Sequence, residues 1–231
     1  MVELIAFDAD ETLCHTEHLY QEARRQFREL LEPYTSLDTL DALVHETEMR
    51  NLPYYGFGIT SFILSLIETA VDASGGRITG PEIGRLLEIS RRMVSADVEL
   101  IDEVEETLAA LSAEYPLLLI TKGDLLHQRD KVARSGLGRY FAGVEVVADK
   151  TADVYGEILA RRNVPAERFV MVGNSPRSDI LPVVSLGGQA IYVPDENTWV
   201  YDLVDLPDDL PGTIHRVSRV GEVVGLIRSL R

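Results

Sequence analysis

Two carboxylates, Asp8 and Asp10, stand two residues apart directly after a short apolar run, Leu4–Phe7. In an ideal strand, a spacing of two places both side chains on the same face. Carboxylates that lie this close repel each other unless a cation separates them, and Mg²⁺ prefers oxygen ligands while keeping room for water and phosphate oxygens. By itself the pair is also explained by two turn acids at a strand end, so its interpretation depends on the residues at the ends of the other apolar runs.

Four further apolar runs are short and nearly continuous, as is typical of strands buried on both faces of a parallel sheet. These runs are Leu117–Ile120, Val144–Val147, Phe169–Val172 and Ala190–Val193. Helical patterns separate them, at Asp124–Arg134, Asp153–Arg162 and Ser178–Leu186. The alternation of strand and helix predicts an α/β fold with a Rossmann-like, doubly wound parallel sheet.

Polar residues come after these runs. Thr121 comes directly after the run Leu117–Ile120. Lys150 comes after the run Val144–Val147, and Asn174 after the run Phe169–Val172. In open parallel sheets, ligands bind outside the carboxyl ends of the strands. We therefore expect a hydroxyl, an ammonium group and an amide to gather at the sheet edge that carries Asp8 and Asp10.

The stretch from about residue 15 to residue 97 has helical periodicity and no strand-like run of comparable clarity. It predicts an all-helical cap domain, 15–97, inserted into a core domain formed by 1–14 and 98–231, and covering the active-site edge of that core. Within the insertion, Tyr54, Tyr55 and Phe57 either stack on a substrate or pack in the interior of the domain. The segment Val204–Gly212, rich in Asp and Pro, is predicted to be a surface loop.

The formal net charge of −16 argues against nucleic acid or an anionic membrane surface as a partner. The apolar runs are too short to span a bilayer. The single cysteine, Cys14, and an N-terminus without a basic leader favour a reducing, cytoplasmic location. No helix indicates an interface, so the oligomeric state is open.

The run Asp8–Thr12 resembles the first motif of the haloacid dehalogenase superfamily, DxDx[TV]. Thr121 is similar to the Ser/Thr of the second motif and Lys150 to the Lys of the third. Gly173–Asp179 resembles the fourth motif, GDxxxxD. The four motifs occur in order and cover essentially the whole chain, and the helical insertion is similar to a C1-type cap.

The resemblance implies a Mg²⁺-dependent phosphatase acting on a small phosphorylated metabolite. Asp8 would be the nucleophile that forms an aspartyl-phosphate, and Asp10 the general acid and base. Thr121 and Lys150 would bind the phosphate and balance its charge. The residues assigned to the metal are Asp8, Asp10, Asn174 and Asp179.

The chain has only three lysines, which are Lys122, Lys131 and Lys150. We interpret Lys150 as the essential one. Lys122 directly follows Thr121 and is a further candidate for phosphate binding, with a surface position as the alternative. Lys131 is interpreted as a solvated charge on a helix.

Two departures from the motifs and three alternative functions bear on the phosphatase interpretation. Asn174 stands where the fourth motif usually has Asp, which removes one negative charge from the metal site, and Glu11 stands where small or polar residues are common.

A dehalogenase would need no acid at position 10, because no alkoxide leaving group requires a proton. A phosphonatase-like hydrolase would need a lysine in the insertion, and residues 15–97 contain none. A catalytically silent binding protein has only Asn174 in its favour. Nucleoside monophosphates, sugar phosphates and phosphoglycolate all remain candidate substrates.

Overall fold

The structure, a computed structural model, describes residues 1–207 and 209–230. The chain divides into a core unit, Met1–Glu17 with Val98–Arg231, and a helical unit, His18–Asp97. The predicted surface loop Val204–Gly212 includes Asp208, which lies outside the described residues.

The strands lie in the core unit. They are β1 (Leu4–Phe7), β2 (Cys14–His15), β3 (Glu99–Leu100), β4 (Leu117–Lys122), β5 (Gly143–Val147), β6 (Phe169–Gly173), β7 (Gln189–Tyr192) and β8 (Thr213–Arg216). The helices are α1 (Glu17–Leu31), α2 (Leu37–Tyr55), α3 (Ile59–Ala73), α4 (Gly80–Ser95), α5 (Val104–Ser112), α6 (Leu125–Ser135), α7 (Ala152–Arg162), α8 (Leu181–Ser185) and α9 (Val223–Ser229). One turn of π-helix, Pro176–Ile180, leads directly into α8.

Within the described residues, one sheet holds six strands in the order β5-β4-β1-β6-β7-β8. Each neighbouring pair is parallel. The chain runs outward from β1 through β4 to β5, then returns to the other side of β1 and continues through β6, β7 and β8. This is the doubly wound Rossmann order, which places the topological switch point between β1 and β6. The predicted fold class is confirmed.

The central strands are buried on both faces, as their continuous apolar sequences predict. In β1, Ile5 and Phe7 pack into one hydrophobic cluster, whereas Leu4 and Ala6 pack into another. The same alternation separates Leu117 and Leu119 from Leu118 and Ile120 in β4. Because both faces are covered by apolar contacts, the carboxyl-terminal edge is where polar side chains can collect.

Two features of the core unit escape the sequence patterns. The edge strand β8 reads Thr-Ile-His-Arg, which lacks the continuous apolar signal of the central strands. The antiparallel ribbon of β2 and β3 pairs Cys14 with Leu100 and His15 with Glu99. With two residues per strand, this ribbon is too short to show any periodicity.

The helical unit has a hydrophobic cluster of its own. Its largest fully buried side chains include Phe27, Leu31, Leu40, Leu66 and Leu86. A capping box begins α4: the Thr79 hydroxyl accepts from the Glu82 N–H, and the Glu82 carboxylate accepts from the Thr79 N–H.

The aromatic residues at the end of α2 lie largely outside the interior of this unit. Tyr54 is 79% exposed and Tyr55 is 54% exposed. The alternative that these side chains pack in the interior is therefore wrong for the two tyrosines, whereas Phe57 is partly buried. Contact of the three aromatic residues with a substrate stays a prediction. None of the helices among the described residues is long and apolar enough to cross a membrane.

Candidate active site

Asp8 follows β1 directly and is buried. Its N–H donates to the Val172 carbonyl oxygen at 2.9 Å, which continues the pairing of β1 with β6 up to this residue. Its Oδ1 accepts a hydrogen bond from Lys150 Nζ at 2.5 Å, whereas its Oδ2 lies 3.5 Å from the Thr12 hydroxyl. Oδ2 is thus the less strongly engaged oxygen of the carboxylate.

Lys150 lies between two buried carboxylates. Its Nζ also donates to Asp179 Oδ1 at 2.7 Å, and the side chain of Asp179 is fully buried. Asp179 Oδ2 accepts from the Ser175 N–H at 3.0 Å. Gly173 permits this packing, because a Cβ at that position would lie 2.3 Å from Asp179 Oδ2. Both oxygens of Asp179 are therefore engaged, and the side chain holds Lys150 beside Asp8.

The charges of Asp8 and Lys150 depend on this burial. Burial raises the pKa of Asp8 to about 7, although the Lys150 ammonium opposes the shift. Burial disfavours the charge on Lys150, but Asp179 and Asp8 hold the pKa of Lys150 well above its ordinary value. A further cation beside Asp8 would lower its pKa and favour the carboxylate form that a nucleophile needs.

Asp10 has its own cation. Lys131 Nζ lies 2.5 Å from Asp10 Oδ1, and Gln128 Nε2 donates to Asp10 Oδ2 at 3.2 Å. Burial opposes ionisation of Asp10, but the Lys131 ammonium outweighs it and holds the pKa of Asp10 below its ordinary value. The two carboxylates of the first motif are thus each paired with a separate lysine.

The interpretation of Lys131 as a solvated helix charge is wrong. The residue is only 4% exposed and lies on α6, from which its ammonium group reaches Asp10. The helical pattern could not reveal this, because the partner is 121 residues away in sequence. The one available signal was the scarcity of lysine in the chain.

Thr121 and Lys122, at the carboxyl end of β4, differ in their surroundings. The Thr121 hydroxyl oxygen is buried and has no hydrogen-bond partner among the described residues. Buried hydroxyls are rarely left unpaired, so this one is suited to a ligand oxygen. Lys122 Nζ contacts Ser178 Oγ and Asp202 Oδ1, both at 2.8 Å. These contacts tie β4 to the 3₁₀ turn Val200–Asp202, and a phosphate contact by Lys122 stays a prediction.

Asn174 follows β6 and is buried. Its Nδ2 donates to the Thr198 hydroxyl at 2.9 Å, and its Oδ1 accepts from the Thr12 hydroxyl at 3.3 Å. Since Thr12 also contacts Asp8 Oδ2, the amide oxygen of Asn174 and this carboxylate oxygen of Asp8 both lie within 3.5 Å of one hydroxyl. Sequence reasoning missed Thr198, for which no motif gives a signal.

Glu11 turns the chain away from the strand. It adopts a left-handed backbone conformation with φ 55°. Its Oε1 accepts from the N–H groups of Thr16 at 2.5 Å and Glu17 at 2.7 Å, so the carboxylate caps the start of α1. The Glu11 side chain is thus occupied with the start of this helix.

The oxygen donors at this edge suit Mg²⁺. Asp8 Oδ2 and Asn174 Oδ1 are hard oxygen atoms without a strong hydrogen bond, and they approach the same hydroxyl. Each carboxylate oxygen of Asp10 and Asp179 accepts from a protein donor, and the assignment of these two residues to the metal stays a prediction. In the described part of the chain, no three or more His, Cys, Asp and Glu side chains are grouped so that they alone could hold a metal ion. A bound Mg²⁺ would therefore keep water or substrate oxygens among its ligands, as this ion commonly does.

The four motifs occur in order, and their residues lie together at the switch point of the sheet. A comparison of the sequence with protein-family profiles agrees with this arrangement. A family profile for haloacid dehalogenase-like hydrolases matches residues 2–187. The chain belongs to the haloacid dehalogenase-like hydrolase family. The resemblance of its motifs to that superfamily is thereby confirmed, and so is a hydrolase function in general terms.

Solved structures with a similar fold include proteins described as a dehalogenase and as a predicted phosphatase. A haloacid dehalogenase-like family hydrolase of Xanthomonas campestris is 38% identical over 99% of this chain and 91% of its own, with a TM-score of 0.87. A 2-haloacid dehalogenase of Pseudomonas syringae pv. Tomato DC3000 is 23% identical over the full length of both chains, with a TM-score of 0.66. A predicted phosphoglycolate phosphatase of Haemophilus somnus is 15% identical over 98% of both chains, with a TM-score of 0.67. No curated protein matched the sequence. The last two similarities establish the fold alone.

Proposed function

We propose that this hydrolase cleaves small phosphomonoesters with Mg²⁺, through an aspartyl-phosphate on Asp8. The observation that carries the proposal is Asp10, a carboxyl group two residues from the nucleophile with hydrogen-bond donors of its own. An ester releases an alkoxide, which needs a proton, whereas a halide leaves without one. A residue in the position of Asp10 therefore favours ester hydrolysis over dehalogenation.

In the first half of the reaction, one carboxylate oxygen of Asp8 attacks phosphorus and forms a P–O bond. The bond from phosphorus to the ester oxygen breaks, and that oxygen takes the proton of the Asp10 carboxyl group. The negative charge of a bound phosphoryl group repels the Asp10 carboxylate and so favours its protonation. Asp10 leaves this half as a carboxylate.

In the second half, Asp10 removes a proton from a water molecule, whose oxygen attacks phosphorus. The bond between phosphorus and Asp8 breaks, and its electron pair returns to the Asp8 carboxylate. Inorganic phosphate leaves, and Asp10 returns the proton to solvent, because Lys131 favours the carboxylate in the free protein. Splitting one difficult displacement into two easier ones is the advantage of a covalent intermediate.

Two positive charges would balance the negative charge of the reacting phosphoryl group, the Lys150 ammonium group and Mg²⁺. Lys150 provides one positive charge beside Asp8, and the Thr121 hydroxyl offers a buried donor for a phosphate oxygen. Asp8 and Asn174 would hold Mg²⁺, which when bound neutralises the transferring group. With these cations, a phosphorylated metabolite can bind despite the net charge of −16.

A paired assay separates the two chemistries of this family. The protein is incubated with Mg²⁺ and a panel of phosphomonoesters, and phosphate release is measured. A parallel series measures halide release from 2-haloacids. We expect phosphate release from at least one ester and no halide release. Halide release without phosphate release would establish the dehalogenase alternative, and tight binding of an ester without any turnover would favour a silent binding protein.

Substitution Asn174→Asp tests the metal assignment. The added carboxylate charge is expected to lower the Mg²⁺ concentration for half-maximal activity by about tenfold, since ligand charge sets the affinity of such sites. The Mg²⁺-dependent rise in melting temperature should shift in the same direction. If the Mg²⁺ concentrations for half-maximal activity and for the half-maximal rise in melting temperature both matched those of the wild type, residue 174 would not be a metal ligand.

A further inference from the structure

The inner face of α6 carries two buried donors that meet the same carboxylate. Lys131 and Gln128 are each 4% exposed and lie three residues apart, which places them on one side of the helix. Lys131 binds one oxygen of Asp10, at 2.5 Å, and Gln128 binds the other, at 3.2 Å. We propose that Lys131 and Gln128 are positioning residues that hold Asp10 in place as the base for hydrolysis of the phosphoenzyme.

Gln128 is itself held in position. Its Nε2 also donates to the Lys122 carbonyl oxygen at 3.3 Å, at the end of β4. Gly123 lies against this amide, and a Cβ there would be 3.1 Å from Nε2. At Gly123, φ is +134°, a conformation that other residues rarely adopt. The absence of a Cβ at Gly123 leaves room for this amide, and its hydrogen bonds hold Gln128 between the strand end and Asp10.

We call Lys131 and Gln128 together the Asp10 clamp. Asp10 needs this clamp because its side chain is 36% exposed, unlike the buried Asp8. An exposed carboxylate can rotate about its side-chain bonds, and hydrogen bonds to both of its oxygens restrict that rotation. Each oxygen that accepts one hydrogen bond keeps a further lone pair for a proton from water. The clamp thus orients the base without occupying it.

This inference rests on the proposed phosphatase function, and its test isolates the second half of the reaction. p-Nitrophenyl phosphate is the probe, since its phenolate leaves without help from an acid. In Lys131→Met, formation of the phosphoenzyme proceeds, whereas its hydrolysis slows. We expect a rapid burst of about one equivalent of p-nitrophenolate per enzyme, then a steady rate about 10- to 100-fold below the wild type, because a general base contributes about 10²- to 10⁴-fold. Acid quenching should trap a larger fraction of phosphoenzyme.

Two further variants keep the test informative. Gln128→Leu removes the neutral donor at similar size. It should give the same burst and a smaller fall in the steady rate of p-nitrophenolate release. This variant tests the inference even if Lys131→Met folds poorly. Arg129→Met removes an exposed positive charge from the neighbouring position on α6, and it should behave as the wild type.

Three outcomes overturn the inference. If both clamp variants lose burst and steady rates equally, or change only KM, Lys131 and Gln128 do not serve the base step and the phosphatase function still stands. If the melting temperatures of Lys131→Met, Asp10→Asn and their double variant are additive, the two side chains are not coupled in solution. If the wild type releases no phosphate from any ester, the proposed function itself fails, and with it the catalytic meaning of the clamp.

Discussion

Substitution Asp8→Asn is expected to reduce phosphate release by at least about 10³-fold, since loss of a covalent nucleophile leaves only the contribution of binding and charge stabilisation. The amide keeps the shape of the side chain but cannot form the aspartyl-phosphate. Steady-state rates with the best ester of the panel measure this loss. Mass analysis after acid quench should show one added phosphoryl group on the wild type and none on the variant.

The same variant should fold at least as stably as the wild type near pH 8. Burial raises the pKa of Asp8 to about 7, so the folded state disfavours the charge that Asp8 carries at this pH. A neutral amide removes that cost, and Lys150 retains Asp179 as its partner. Thermal unfolding measures the change. The matched control is Asp149→Asn at an exposed carboxylate that accepts from the Lys150 N–H, since the amide oxygen can keep that hydrogen bond and turnover should be unchanged. Wild-type turnover by Asp8→Asn would falsify the nucleophile assignment.

Substitution Lys150→Met is expected to lower the free energy of unfolding by about 3 to 5 kcal/mol at neutral pH, because breaking a buried ion pair leaves its partner charges uncompensated. Asp8 and Asp179 would then share a buried site with no ammonium group between them. Phosphate release should also fall by at least about 100-fold, since a preorganised cation next to a reacting group contributes on this scale. Chemical denaturation and steady-state kinetics measure the two effects.

The stability loss in Lys150→Met should depend on pH. Desolvation and the charge of Asp179 both raise the pKa of Asp8, and in the variant no ammonium group opposes them. A carboxyl group whose pKa is raised on folding stabilises the protein below that pKa and loses the effect as the pH rises through it. The variant should therefore lose stability as the pH rises, and the loss should continue above the pKa of about 7 that Asp8 has beside Lys150. The double variant with Asp179→Asn removes one of the two charges and should recover part of the loss. A loss that does not change with pH would point to packing instead.

The fold was largely predictable because its central strands carry a strong local signal. Runs such as Leu4–Phe7 and Phe169–Val172 are continuously apolar, and a strand with that pattern must be buried on both faces. Once helices alternate with such strands, few connections are sterically favourable, and the doubly wound order is among them. The edge strand β8 and the ribbon of β2 and β3 lacked this signal.

The sequence by itself determined the family and the parallel-strand framework, because motif order and strand periodicity are properties of local sequence. It also brought Asp8, Thr121, Lys150 and Asn174 into consideration, since each comes after a predicted strand. Only the tertiary structure decided which cation serves which carboxylate. Lys150 pairs with Asp8 across 142 residues and Lys131 pairs with Asp10 across 121, and pairings of that length depend on how helices pack against the sheet. The interpretation of Lys131 failed for this physical reason: a helix pattern shows that a face is polar, but not which charge that face will meet.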